Sequence, residues 1–330
     1  MNVYAGIEPD RACLRPDGSD GPALLAPGDV PVVALVLAGS RGGTDPVAAA
    51  EGVTHKALVR VGQSTMLERV ICALRQAGVR RVLVSTDTPG TVALACAAGA
   101  EIVEPGAGPS QSVALAMELS GAPLLVTTAD HALLSPEWVR HFVANAPATA
   151  DVAIMLARQQ DVMSAVPSTR RTWLRFADGA WSGCNLFLLA TDRAALAVDQ
   201  WCAVERERKR PWRLAARLGW ATFSEYLAGS LTLSDAIGRV GQRMGISAAL
   251  VPASHGLAAV DVDKVEDLEL VRAIVAGRSS SWEPDHLSVA DVLVAPFVEG
   301  RGGRGAALVR AAGGMALAGL RRALSRLRSA

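Results

Sequence analysis

Short apolar runs that end in glycine, threonine or serine alternate with helix-like stripes through the first 130 residues, and this alternation constrains the fold more than any other feature of the chain. Pro31 to Ala38 (PVVALVLA) is a β-branched run closed by Gly39. Arg81 to Ser85 (RVLVS), Glu101 to Val103 and Pro123 to Thr128 (PLLVTT) follow at intervals. An unbroken apolar run of this length suits a strand buried on both faces. Between the runs, Ser64 to Ala77 carries Met66, Leu67, Val70, Ile71 and Leu74 at helical spacing, and Gly78 is placed to stop the helix. Thr91 to Gly99 and Ser112 to Leu119 read as shorter helices. The alternation predicts an α/β fold with a doubly wound, mostly parallel sheet and helices on both faces. Such sheets bind ligands beyond the carboxyl ends of their strands. That places Gly39 to Arg41, Asp87 and Asp130 where chemistry is expected.

The second half is less regular. Asp151 to Ala157, Gly183 to Leu189 and Ile246 to Val251 read as strands. Asp192 to Glu207, Ser234 to Gly245 and Val265 to Ala276 read as helices. The organisation expected is an irregular arm over residues 1–30 and a main domain over 31–278. Within that domain, 31–150 form a first half and 151–278 a second. A linker and basic tail follow over 279–330.

Charge separates the tail from the body. Seven arginines and no acid follow Glu299; the remaining residues hold 26 basic against 32 acidic side chains. A mildly acidic body is not built for nucleic acid, so no nucleic-acid partner is expected. In the tail, Leu317, Leu320, Leu324 and Leu327 fall at helical spacing, with most arginines off that stripe. A basic amphipathic helix of this kind can lie on an anionic membrane surface. No apolar run reaches the roughly 18–20 residues that a membrane span needs, and no secretory signal is evident at the start. The expected location is cytoplasmic, with peripheral contact at the inner face of the membrane. The five cysteines never pair as C-x-x-C, which argues against a cysteine zinc site.

Three constellations carry chemistry. The first is Leu37-Ala38-Gly39-Ser40-Arg41-Gly42-Gly43, followed by His55-Lys56-Ala57-Leu58. A strand that runs into a glycine loop lets backbone N–H groups approach phosphates. Arg41 offers a fork to phosphate oxygens and Lys56 a compact charge. The loop is neither a Walker loop nor a G-x-G-x-x-G dinucleotide fingerprint. The second is Thr127-Thr128-Ala129-Asp130-His131, which places a carboxylate just past a strand, where it can hold Mg²⁺. His131 reads as a turn residue. The third is Val260-Asp261-Val262-Asp263, where two aspartates lie two positions apart on an extended segment and one of them can join Asp130 at a metal. Glu266 and Asp267 then load the first turn of a helix with acid. No G-x-S-x-G nucleophile motif and no H-E-x-x-H metal motif is present.

In order and spacing these pieces resemble the MobA-like nucleotidyltransferases, which share the GT-A-type, Rossmann-like fold and include sugar- and polyol-phosphate cytidylyltransferases. The resemblance runs from about Val32 to Ile274. It implies that Leu37, Ala38, Gly39, Ser40 and Arg41 form the nucleotide-phosphate loop, and that Lys56 stabilises charge as pyrophosphate leaves. It implies that Asp130 and Asp263 hold Mg²⁺, with Mn²⁺ as the alternative, and that Lys56, Arg41 and Asp130 are catalytic. Pro109, Ser110 and Ser112 fall where the family's base-contacting loop lies. Asp87 joins the nucleotide side. Gly183 and Asn185 line the acceptor pocket. The family's G-x-x-R-M-G pattern is not intact here, and the loop from Arg41 to Lys56 is longer than usual.

The implied reaction transfers NMP from an NTP, CTP first, to a phosphorylated sugar, polyol or alcohol, with release of pyrophosphate. The preference for CTP follows from the tail, because CDP-activated alcohols feed membrane-bound enzymes. For the acceptor phosphate, Lys209 and Arg213 in a charge-dense segment are candidates, and Arg170, Arg171 and Trp173 form a second group. The competing readings are a molybdenum-cofactor guanylyltransferase, a GT-A glycosyltransferase and a non-catalytic, nucleotide-sensing or membrane-recruited scaffold.

Overall fold

A computed structural model describes residues 30–277, apart from 31, 32, 41, 44, 168, 170 and 208–219. Arg41, Lys209 and Arg213, and the arm and tail calls, therefore lie outside the described residues.

The central sheet has eight strands: β1 (Val33–Leu37), β4 (Arg81–Ser85), β5 (Glu101–Val103), β6 (Leu124–Thr128), β7 (Val152–Arg158), β8 (Leu174–Phe176), β9 (Gly179–Leu189) and β10 (Ala248–Pro252). Two short strands, β2 (Arg60–Val61) and β3 (Ser64–Thr65), form a separate antiparallel pair. The order across the main sheet is β10-β7-β9-β6-β1-β4-β5, with β8 paired to β9. Pairing is parallel for β1 with β4 and β6, β4 with β5, and β7 with β10; β9 runs antiparallel to both β6 and β7. This is the mostly parallel α/β sheet that the alternation predicts.

The burial of β1 explains its apolar run. Ala34 and Val36 enter the core on one face, and Val33 and Leu35 enter the core on the other. The first face packs against α2 (Met66–Ala77) and α5 (Pro136–Asn145), whose Met66, Leu67, Ile71 and Phe142 are fully buried. The second face packs against α4 (Pro109–Ser120) and α7 (Ala194–Glu207) through Val113, Ala116, Ala194 and Val198. The start of α2 is fixed by a capping box between Thr65 and Glu68, and its end by Gly78 at φ 113°, a conformation that glycine adopts without strain.

Several elements escape the sequence reading. The stretch from Gly39 to Thr54 is not only loop, because Asp45 accepts from Val47 N and Ala48 N and starts α1 (Pro46–Ala50). The helix α5, the helix α6 (Gln159–Ala165), the strand β8 and the helix Trp220–Leu227 also go unpredicted.

Candidate active site

The chain runs from β1 outward to β4 and β5, then crosses back to place β6 on the other side of β1. This reversal opens a crevice at the carboxyl ends of β1 and β6, the place where doubly wound sheets bind ligands. Three predicted segments leave the sheet there. Ala38, Gly39 and Ser40 follow β1, Asp87 lies just past β4, and Asp130 follows β6. Backbone bonds from Ala38 N to Ser85 O (3.0 Å) and from Ala129 N to Leu37 O (3.0 Å) hold these exits side by side. Leu37 is half-buried and Ala38 buried; Gly39, Ser40 and Asp87 are exposed. Beyond Ser40 the chain turns on Gly42 (φ 76°) and Gly43 (φ 88°), backbone that favours glycine.

Lys56 comes from a single 3₁₀ turn, Lys56–Leu58, capped by His55, whose Nδ1 accepts from Ala57 N at 3.1 Å. Its ammonium meets both aspartates named from the sequence. Lys56 Nζ donates to Asp130 Oδ2 at 2.5 Å, to Asp263 Oδ1 at 3.5 Å and to the Val262 carbonyl at 3.3 Å. Thr128 donates its hydroxyl to the other Asp130 oxygen at 2.5 Å. A backbone bond from Val262 N to Asp130 O (3.1 Å) pins the Asp261–Asp263 segment to the end of β6. These residues are 74 and 207 positions apart from Lys56 in sequence, and only the tertiary fold joins them.

The electrostatics follow from this geometry. Burial pushes the Asp130 pKa up, but the charge and hydrogen bond of Lys56, helped by the Thr128 hydroxyl, outweigh it and hold the carboxyl below its ordinary value. Burial likewise opposes the Lys56 charge, and Asp130 and Asp263 overcome it, so the ammonium stays protonated. Asp263 sits at the open rim, with 66% of its side chain exposed. Partial desolvation and then the neighbouring Asp261 charge raise its pKa. One ammonium between two carboxylates leaves a net charge of −1.

Asp261, two residues before Asp263, has partners of its own. Arg171 Nη2 donates to Asp261 Oδ1, and Asn185 Nδ2 donates to Asp261 Oδ2 at 2.8 Å. Asn185 is the only non-glycine residue at positive φ (48°) among those described. Its neighbour Cys184 is buried, and burial pushes its thiol up to about 12, which keeps it protonated and unreactive at neutral pH. His131 is buried beside Asp130 and stacks on Trp138 at 6.2 Å; burial pushes it down to about 4, so it is neutral.

At the start of α4, Pro109 fills the first turn and both predicted serines are buried. Ser112 Oγ accepts from Gly106 N at 2.9 Å and donates to Gly108 O at 3.2 Å. Ser110 donates from both its backbone N–H (3.2 Å) and its hydroxyl to Glu205 Oε2, which reaches in from α7. The same carboxylate lies against Gly108, where a Cβ would come within 2.5 Å of it. In the sequence Glu205 opens the charge-dense segment that holds Lys209 and Arg213, and nothing there marks it as the residue turned inward.

Two carboxylates on one edge of the sheet are hard oxygen donors, the set that suits Mg²⁺ when substrate phosphates and water complete its shell. Asp130 and Asp263 fit that demand. Among the described residues, no group of three or more His, Cys, Asp or Glu side chains is poised to hold a metal.

Comparison with known proteins agrees with this architecture. The sequence profile of the MobA-like NTP transferase domain matches residues 34–180. Among solved structures, a hypothetical transferase from Thermus thermophilus shares 31% identity at a TM-score of 0.63, over 72% of this chain and 98% of that one. CMP:2-keto-3-deoxy-manno-octonic acid synthetase complexed with CTP shares 17% identity (TM-score 0.46; 74% and 98% covered). 4-Diphosphocytidyl-2C-methyl-D-erythritol synthase shares 14% (TM-score 0.44; 74% and 97%). No curated protein matches the chain. The chain belongs to the MobA-like NTP transferase family, and its class is that of the nucleotidyltransferases.

Proposed function

We propose that this chain transfers NMP from an NTP to a phosphorylated small molecule and releases pyrophosphate. The observation that carries the reading is the convergence of Lys56, Asp130 and Asp263 at the carboxyl edge of the sheet. A phosphate oxygen of the acceptor attacks the α-phosphorus in line with the leaving group. The bond from the α-phosphorus to the bridging oxygen breaks, and pyrophosphate departs with that electron pair. Such a transfer asks the protein for positioning and charge neutralisation rather than a covalent nucleophile.

The residues divide as follows. The Leu37–Ser40 exit and the glycine turn bring backbone N–H groups to the nucleotide phosphates, and Arg41 is the arginine proposed for the same role. Asp87, Pro109, Ser110 and Ser112 belong to the nucleotide side. Lys56, fixed by two carboxylates and protonated, offsets charge on the departing pyrophosphate. Asp130 and Asp263 would hold Mg²⁺, which when bound neutralises phosphate charge as a Lewis acid. Gly183 and Asn185 line the acceptor side, with Lys209 and Arg213 as further acceptor contacts. CTP is the nucleotide proposed first and a phosphorylated sugar, polyol or alcohol the acceptor, on the ground that the basic tail suits a product destined for membrane-bound enzymes.

The test is a thermal-shift screen of ATP, CTP, GTP and UTP with and without Mg²⁺. A Mg²⁺-dependent shift with one nucleotide, lost in Asp130→Ala, supports the reading. No shift with any nucleotide contradicts it and favours the scaffold.

A further inference from the structure

Asp261 and Asp263 flank Val262 and pair with two different cations, which makes two charged centres. Lys56 serves the first and is fully engaged by Asp130, Asp263 and the Val262 carbonyl. The second is the guanidinium of Arg171. Its Nη2 binds Asp261 and its Nε donates to Ser182 Oγ at 3.4 Å. No hydrogen bond of Nη1 to a described residue is present. The side chain as a whole is 11% exposed, so the guanidinium is held rather than swinging in water.

The strand beside it is distorted to make this possible. Between Ile154 and Leu156 on β7, two steps of chain, β9 uses four, from Phe187 back to Gly183. In a regular strand Ser182 and Asn185 point to opposite faces. The bulge, with Asn185 at φ 48°, brings Ser182 to Arg171 and Asn185 to Asp261, the carboxylate that Arg171 binds. A bulge and a left-handed asparagine are costly, and they recur where a strand re-aims side chains for function. Beside them Gly183 is exposed, and a Cβ built on it would meet nothing within 4 Å, so the surface there is open.

We infer that Arg171 grips the anionic group of the acceptor, with Asp261, Ser182 and Asn185 as the frame that positions it. A planar guanidinium with one edge fixed by a carboxylate and another nitrogen free offers phosphate a directional donor, which a mobile lysine does not. The carboxylate that holds Arg171 lies two residues before the one that meets Lys56, so the same segment presents two cations, as joining two phosphates requires. Naming the anion as the acceptor's rests on the nucleotidyltransferase reading; the anion site itself does not.

The experiment is calorimetric titration of the full chain with inorganic phosphate, glycerol 3-phosphate and glycerol. The wild-type chain is expected to bind both phosphates and not glycerol. Arg171→Ala should weaken phosphate binding at least tenfold, and Arg171→Lys, which keeps the charge and the pairing to Asp261 but not the fork, at least threefold. Asp261→Asn should tighten binding severalfold by releasing the guanidinium charge, an effect that a purely structural ion pair would not produce. Mg²⁺-nucleotide thermal shifts should persist in all three variants. Phosphate binding within twofold of wild type in Arg171→Ala, or in Arg171→Lys should the alanine variant not fold, overturns the assignment, as does a wild-type chain that binds no phosphate. Phosphate affinity that follows Arg171 in a chain that no nucleotide shifts upholds the anion site and sinks the nucleotidyltransferase reading instead.

Discussion

Lys56 is one of three lysines in a chain that otherwise uses arginine, and its place between Asp130 and Asp263 gives that scarcity a physical sense. A compact ammonium reaches both carboxylates and the Val262 carbonyl as a point charge, without the fixed planar fork of a guanidinium. Replacing it with alanine leaves two carboxylates facing each other without a cation, but at an edge partly open to water. The fold should therefore survive while turnover falls on the order of 10³-fold, the scale seen when one charge-stabilising donor is removed. Steady-state assays with a parallel melting curve check this; full activity in Lys56→Ala would remove the residue from the site. Asp130 was legible because it follows the apolar run of β6, whereas Lys56 and Asp263 were picked out by the resemblance of their short motifs to the family's. Arg171 was only one of several candidate cations there, because it owes its position to a bulge in β9 and a partner 90 positions away. Glu205 was not legible at all. A charge run looks solvated whichever of its members turns inward.

Among the elements, those read correctly from the sequence are those whose own residues decide them. The run in β1 is buried on both faces, and α2 carries its stripe, its capping box and its terminal glycine. Those missed depend on distant contacts. The 3₁₀ turn Gly256–Ala259 packs so closely on α6 that a Cβ at Gly256 would lie 2.1 Å from the Asp161 carbonyl. Gly256→Ala should therefore destabilise the chain by about 2–3 kcal/mol, the upper range for overpacking. Denaturant unfolding measures it, and a loss below about 0.5 kcal/mol, within the range of neutral surface changes, would refute the close approach. Asp151 ties three elements together. It accepts from Thr191 Oγ1 at 2.6 Å after β9 and from Ser247 N at 2.8 Å before β10, at the start of β7. The Thr191 hydroxyl and then the Ser247 N–H hold its carboxyl below the ordinary value. A depressed folded pKa contributes stability that is present above the unfolded value of 3.8 and lost as pH falls through the folded one. Asp151→Asn should flatten the acid limb of the stability curve below about pH 4 while costing stability at pH 7. An unchanged acid limb would show that Asp151 does not contribute there.

For the whole molecule, topology decides what the motifs mean. The crossing of the chain from β5 back to β6 puts the glycine turn, Asp87 and Asp130 on one edge, and the Asp261–Asp263 segment closes that edge from the far end of the chain. The doubly wound sheet was legible from alternation alone. The antiparallel insertion of β9 was not, since a strand's direction is set by its connections rather than by its residues. Among the described residues no helix is long and apolar enough to cross a membrane. If the basic tail works at a surface, removing residues 301–330 should leave turnover unchanged and weaken binding to anionic liposomes; unchanged binding would end that role. The central claim concerns the reaction. Its most direct test is pyrophosphate release by the purified chain, with Mg²⁺ and each of the four NTPs, against a panel of phosphorylated sugars, polyols and alcohols. The account predicts release that needs one nucleotide, one phosphorylated acceptor and Mg²⁺ together. Release from no combination, by a chain that is folded and binds nucleotide, would contradict it.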